Sequence, residues 1–186
     1  MLEKLDSRLR GNDESGYGIS MKNTLLTLAA LSFTTPALAQ DAPAELEPGA
    51  VGSIEWHNTQ QSALHARTAA DGWATLDGGI KFRRIGGEGT GPAPEVADDI
   101  TIHYTGSFTT GEVFDSSVER GEPATFPLSG LISGYQVAAP YMGVGDTVEL
   151  AIPATSAYGL QGRGPIPGGA TLLFTVELLA IPSKGV

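Results

Sequence analysis

Three stretches with apolar residues at regular intervals constrain what this chain can fold into. Ile100, Ile102 and Tyr104 alternate with Thr101 and His103, and Val148, Leu150 and Ile152 repeat that period until Pro153 stops it. A period of two sends successive side chains to opposite faces, so each stretch reads as a half-buried strand. Residues 172–181 carry apolar side chains on both faces and are expected to lie centrally in a sheet. Ile80, Phe82 and Ile85 bracket another strand, and residues 86–92, rich in Gly, read as a turn. Thr109-Thr110-Gly111 marks a hairpin tip, with Val113-Phe114 beginning the return. Residues 132–142 are the one segment here suited to a helix packed under the sheet, and Pro140 limits it to two or three turns. With 25 glycines in 186 residues, a turn-rich sheet fits better than a helical bundle. Antiparallel strands over one short helix make an α+β domain, although periodicity alone also allows a β-sandwich.

The N-terminal part reads differently. Met21-Lys22, the apolar run 25–33, Pro36 and Ala37-Leu38-Ala39 follow the pattern of a secretory signal peptide over residues 21–39. The run is too short to span a membrane, and no cysteine follows it to carry a lipid. Cleavage is expected after Ala39, giving a periplasmic protein with no membrane anchor. Residues 1–20 are charged and broken by Gly, with acidic residues ahead of the signal, so translation is expected to start at Met21. Residues 40–74 are expected to be a linker that allows a short helix over 62–70, ended by Asp71-Gly72. The main domain is expected over 75–182, leaving 183–186 as a tail.

Charge and composition remove several functions. The net charge is −10 with no Lys/Arg cluster, which argues against nucleic acid and anionic membrane surfaces as partners. The absence of cysteine excludes thiol catalysis, disulfides and thiolate metal sites. His57, His65 and His103 have unrelated spacings, and none pairs with a carboxylate at a metal-ligand interval. His103, between core-facing neighbours, is expected to face solvent. Asp115-Ser116-Ser117 lacks the Gly-x-Ser-x-Gly elbow of an acyl-transfer nucleophile, and residues 86–91 lack the Gly-Lys-Thr ending of a phosphate loop. What remains is a set of aromatic and branched residues at strand ends and loops: Tyr104, Phe114, Phe126, Leu131, Ile132, Tyr135, Tyr158, Ile166 and Phe174. Such residues form either a core or the lining of an apolar pocket, and chain position leaves both open.

The order of the motifs decides between these readings. Ile102-His103-Tyr104-Thr105-Gly106, Val113-Phe114-Asp115-Ser116-Ser117 and Leu131-Ile132-Ser133-Gly134-Tyr135 come first. Ala157-Tyr158-Gly159, Ile166-Pro167 and the apolar stretch 170–179 follow. Together they resemble an FKBP-type peptidyl-prolyl cis-trans isomerase domain of the bacterial exported subgroup. The resemblance implies a twisted antiparallel β-sheet wrapped around one short α-helix. It places Tyr104, Phe114, Asp115, Tyr158 and Phe174 as catalytic residues. Phe126, Leu131, Ile132, Tyr135, Ile166 and Arg120 become substrate-binding residues, with Ile166 in a flap and Arg120 paired with Asp115. It also implies proline-containing polypeptides as substrates, a macrolide such as rapamycin as inhibitor, and no cofactor or metal. Tyr135 stands where the best-known relatives carry Trp. A proline-binding chaperone module of weak turnover on the same fold is the alternative.

Overall fold

Strand alternation accounts for most of what the computed structural model, which describes residues 49–186, contains. The readings for residues 1–20 and 21–39, the start at Met21 and the cleavage after Ala39 lie outside the described residues, as does the beginning of the expected linker. In chain order the elements are α1 (Ile54–His65), β1 (Ala74–Thr75), β2 (Lys81–Gly86), β3 (Asp99–Phe108) and β4 (Val113–Ser116). They continue with α2 (Ser117–Arg120), β5 (Ala124–Pro127), α3 (Ser133–Ala138), β6 (Thr147–Ile152) and β7 (Leu172–Ala180). The sheet runs β1-β2-β6-β7-β3-β4 with every pairing antiparallel, and β5 pairs with β3 beside β4. This is the expected α+β arrangement, a sheet with one face closed by a short helix.

The period of two explains the core. Ile100, Ile102 and Tyr104 of β3, Val148, Leu150 and Ile152 of β6, and Phe174, Val176 and Leu178 of β7 are all buried. They pack against Tyr135 and Ala138 of α3, with Leu128 and Met142 flanking the helix. A Cβ on Gly134 would lie 2.5 Å from Ile152 Cγ2, so glycine there lets α3 settle onto β6. Beyond Ala138 the chain tightens to a 3-10 turn over Ala139–Tyr141 with Pro140 in it, which ends the helix at about its expected length.

Three expectations need correction here. β7 is central, between β6 and β3, but buried on one face: Thr175 and Glu177 are exposed on the other. Its half-buried Leu173 borders a small hollow shared with Arg67 and Trp73. The Arg67 and Arg83 guanidiniums both lie over the Trp73 ring, 5.1 and 4.7 Å from its centre. The helix allowed over 62–70 instead occupies Ile54–His65, because Ser53 caps it by accepting the Trp56 N–H at 3.1 Å. A separate 3-10 turn over Ala69–Asp71 ends at Gly72, whose φ of 83° needs glycine. The segment read as linker is docked on the sheet domain. Gln60, 4% exposed, accepts the Thr171 N–H at 3.0 Å, and its carbonyl accepts the Thr171 hydroxyl at 3.2 Å.

The Gly-rich loop after β2 is held by one carboxylate. Asp146 accepts from the Gly89 N–H (2.9 Å), the Gly143 N–H (2.8 Å) and Arg84 Nε (3.0 Å), with its side chain 2% exposed. Burial pushes this carboxyl up, but the two amides and Arg84 more than offset that and hold it below the usual carboxylate range. A carboxyl held low in the folded state adds stability above its ordinary value of 3.8, lost as pH falls towards the folded value. Asp146→Asn is expected to cost about 1 kcal/mol in urea denaturation at neutral pH. It should also flatten the acid side of the stability profile, and an unchanged profile would show that the carboxylate carries no such role.

Candidate functional site

Between the concave face of the sheet and α3 lies a cavity of about 340 Å³. Strands β3 and β7 supply Tyr104 and Phe174, β4 supplies Phe114 and Asp115, and β5 supplies Phe126. Tyr135 of α3 forms the floor, with Leu131 and Ile132 just before the helix and Tyr158 on the loop after β6. The rings meet edge to face: Phe174 lies 5.2 Å from Tyr135 at 77° and 5.7 Å from Phe114 at 89°. Gly106 makes this possible. It pairs with Phe174 across the β3–β7 ladder, and a Cβ on it would lie 2.7 Å from Phe114 Cζ and from Phe174 Cε1.

One polar network borders the apolar hollow. The Tyr104 hydroxyl donates to Asp115 Oδ2 at 2.6 Å, Arg120 Nη1 donates to Asp115 Oδ1, and Arg120 Nη2 donates to the Tyr104 oxygen at 3.1 Å. Partial burial pushes the Asp115 carboxyl up, yet the Tyr104 hydroxyl and Arg120 hold it below the usual carboxylate range. Burial and the Asp115 charge push Tyr104 the other way, above the ordinary tyrosine value, so it stays a protonated donor. Behind this network, Ser117 is fully buried and its Oγ accepts the Tyr104 N–H at 2.8 Å. His103, expected to face solvent, is half-buried with Nδ1 3.1 Å from that Oγ. Ser116 caps α2 by accepting the Glu119 N–H at 3.2 Å. The two serines thus position backbone.

Of the residues singled out from sequence, the structure brings Tyr104, Phe114, Asp115, Phe126, Leu131, Ile132, Tyr135, Tyr158 and Phe174 to one cavity wall. Arg120 reaches the site through Asp115 and Tyr104 and does not line the hollow. Ile166, 8% exposed, packs in the core cluster, and Arg163 lines the wall of the hollow. The reciprocal backbone bonds between Arg163 and Ile166, at 2.9 and 3.0 Å, close a tight loop that turns the isoleucine inward. Gly162 permits this, since its φ is 69° and a Cβ would lie 2.3 Å from the Ile166 carbonyl. Ile102 and Gly130 also line the wall and were not anticipated. Ile102 was readable, because it shares a strand face with Tyr104 two residues on. The site can grip a compact apolar ring against aromatic faces while a fixed ionised carboxylate holds the polar rim in place.

A curved antiparallel sheet closed on a short helix, with an aromatic hollow between them, defines an FKBP-like domain. Residues 91–179 match the family described as FKBP-type peptidyl-prolyl cis-trans isomerase. The chain is 40% identical over 129 residues to the FKBP-type peptidyl-prolyl cis-trans isomerase FkpA of Aeromonas hydrophila, covering 69% of this chain and 48% of that protein. It is 40% identical over 109 residues to FK506-binding protein 1 of Saccharomyces cerevisiae, covering 57% of this chain and 96% of the yeast protein. The crystal structure of FkpA from Escherichia coli superposes with a TM-score of 0.64 at 32% identity, covering 67% of this chain and 58% of that one. The chain belongs to the FKBP-type peptidyl-prolyl cis-trans isomerase family. It spans about half the length of the curated bacterial relatives it matches.

Proposed function

We propose that this domain catalyses cis-trans rotation about Xaa-Pro bonds in polypeptides, without a cofactor or covalent intermediate. The observation that carries this is the aromatic hollow walled by Phe114, Phe174 and Tyr135 beside the Tyr104–Asp115–Arg120 network. Amide resonance opposes rotation with a barrier of about 18–20 kcal/mol, and Xaa-Pro bonds exchange over tens to hundreds of seconds. No bond is made or broken, so the site needs no nucleophile. Apolar walls disfavour the charge-separated planar form, and donors that meet the twisted amide better than the planar one lower the barrier. Tyr158, on the half-buried loop lining the cavity, acts in this reading as the donor to the substrate carbonyl. Asp115 and Arg120 hold Tyr104 at the rim. A hundredfold acceleration needs about 2.7 kcal/mol of such selective binding.

The same reading includes binding of a macrolide such as rapamycin in the hollow. The 21–39 sequence pattern supports action on exported proteins in the periplasm. A protease-coupled proline-isomerisation assay tests the central claim. Acceleration above the uncatalysed rate, abolished by rapamycin, is the expected result. Background rates from correctly folded protein that still binds prolyl peptides would leave a binding module in its place.

A further inference from the structure

Tyr135 is 6% exposed at the cavity floor, edge-on to Phe174. Burial, with the nearby Tyr104, Tyr158 and Asp115, pushes its hydroxyl well above the ordinary tyrosine value, and no hydrogen bond contributes. Tyr104 and Asp115 are already committed to each other and to Arg120. The Tyr135 oxygen is therefore unpaired among the described residues. It is not sealed either: the sealed and unpaired side-chain polar atom among them is Arg67 Nε, away from this cavity. Tyr104, Tyr158 and Asp115, the groups that act on this hydroxyl, line the same hollow as Tyr135, which puts the hydroxyl on the hollow's side of the ring.

This has a consequence for what the hollow accepts. Water can serve an accessible hydroxyl, but a bare prolyl ring seated on the floor displaces that water and leaves the group stranded. A ring that carries its own hydrogen-bonding group returns a partner to it. A site built around a polar group discriminates against the ligand that leaves it unpaired. We infer that Tyr135 is a specificity-determining residue that tilts this pocket towards prolyl rings bearing a hydrogen-bonding substituent, a hydroxylated proline being the simplest. The inference rests on the prolyl-pocket reading above.

The test uses peptides that differ at one ring carbon. Prolyl, γ-hydroxyprolyl (both epimers) and γ-fluoroprolyl peptides are compared with wild type and Tyr135→Phe. Fluorine reproduces the electron withdrawal of the hydroxyl but pairs poorly in hydrogen bonds, so it isolates the contact. Both kcat/KM and peptide Kd are measured. For one epimer, the hydroxyl-over-fluorine preference is expected to be at least about fivefold greater in wild type than in Tyr135→Phe. Equal preferences in the two proteins overturn the inference. Tyr135→Phe keeps the ring and its contact with Phe174. If it nevertheless fails to fold, a wild-type hydroxyl-over-fluorine ratio near one overturns the inference and a fivefold ratio upholds it. If wild type turns over none of the peptides, the isomerase reading falls, while the Kd ratios still decide this one.

Discussion

Replacing Asp115 with Leu is expected to lower kcat/KM by about tenfold to a hundredfold while the unfolding midpoint moves little. The carboxylate and the Arg120 guanidinium are nearly half exposed, at 43% and 47%, so their pairing adds little to stability. Its importance is positional. Asp115 accepts the Tyr104 hydroxyl at 2.6 Å, a short charge-assisted bond that fixes the direction of that hydroxyl. Without the carboxylate, Tyr104 and Arg120 lose the partner that fixes them at the cavity rim. Acid should reproduce the effect. Because the carboxyl is held below its ordinary value of 3.8, the network is intact above that value and weakens as pH falls through the lowered one. The measurement is kcat/KM against pH for both proteins, with thermal melts alongside. Wild-type turnover by Asp115→Leu at neutral pH would remove the network from the mechanism.

Gly106→Ala should weaken prolyl-peptide binding by tenfold or more. Gly106 has no left-handed φ, so alanine meets no backbone penalty there. The new methyl would instead lie 2.7 Å from both Phe114 and Phe174, closer than real Cβ contacts come. Overpacking of this kind costs about 1–3 kcal/mol. The two rings wall the cavity, so their displacement reshapes the space a proline would fill. Peptide titration and urea denaturation of the variant check both halves. Native affinity together with native stability would show that the rings relax without cost.

How much of this was legible beforehand depended on whether the signal was periodic. β3 and β6 follow the alternation of Ile100-Ile102-Tyr104 and Val148-Leu150-Ile152, because burial on one face of a strand leaves that mark. Helix α1 left no such mark. Its inner side carries Trp56, Gln60 and Leu64, so a buried glutamine interrupts the apolar spacing, while Ile54 near its start is 81% exposed. Ser53 was the better signal, since a capping side chain fixes a helix start independently of its apolar face. The aromatic residues of the site came from motif order, and they line one cavity. That Arg163 lines the hollow while Ile166 packs in the core follows from a backbone turn at Gly162, which one-dimensional spacing does not record. Tyr135 lines that cavity too, but its unpaired hydroxyl became evident only from what surrounds it.

The outer strands of the sheet are short. β1 has two residues, and the far side of β3 is divided between β4 and β5, four residues each. Long free strands are where extended chains attach by backbone pairing, and where proteins aggregate edge to edge. Among the described residues the outer strands therefore give little length for such pairing. On the proposed function, a polypeptide engaged at the hollow is held by its proline ring and not by a long ladder of amide bonds, which favours brief capture and ready release.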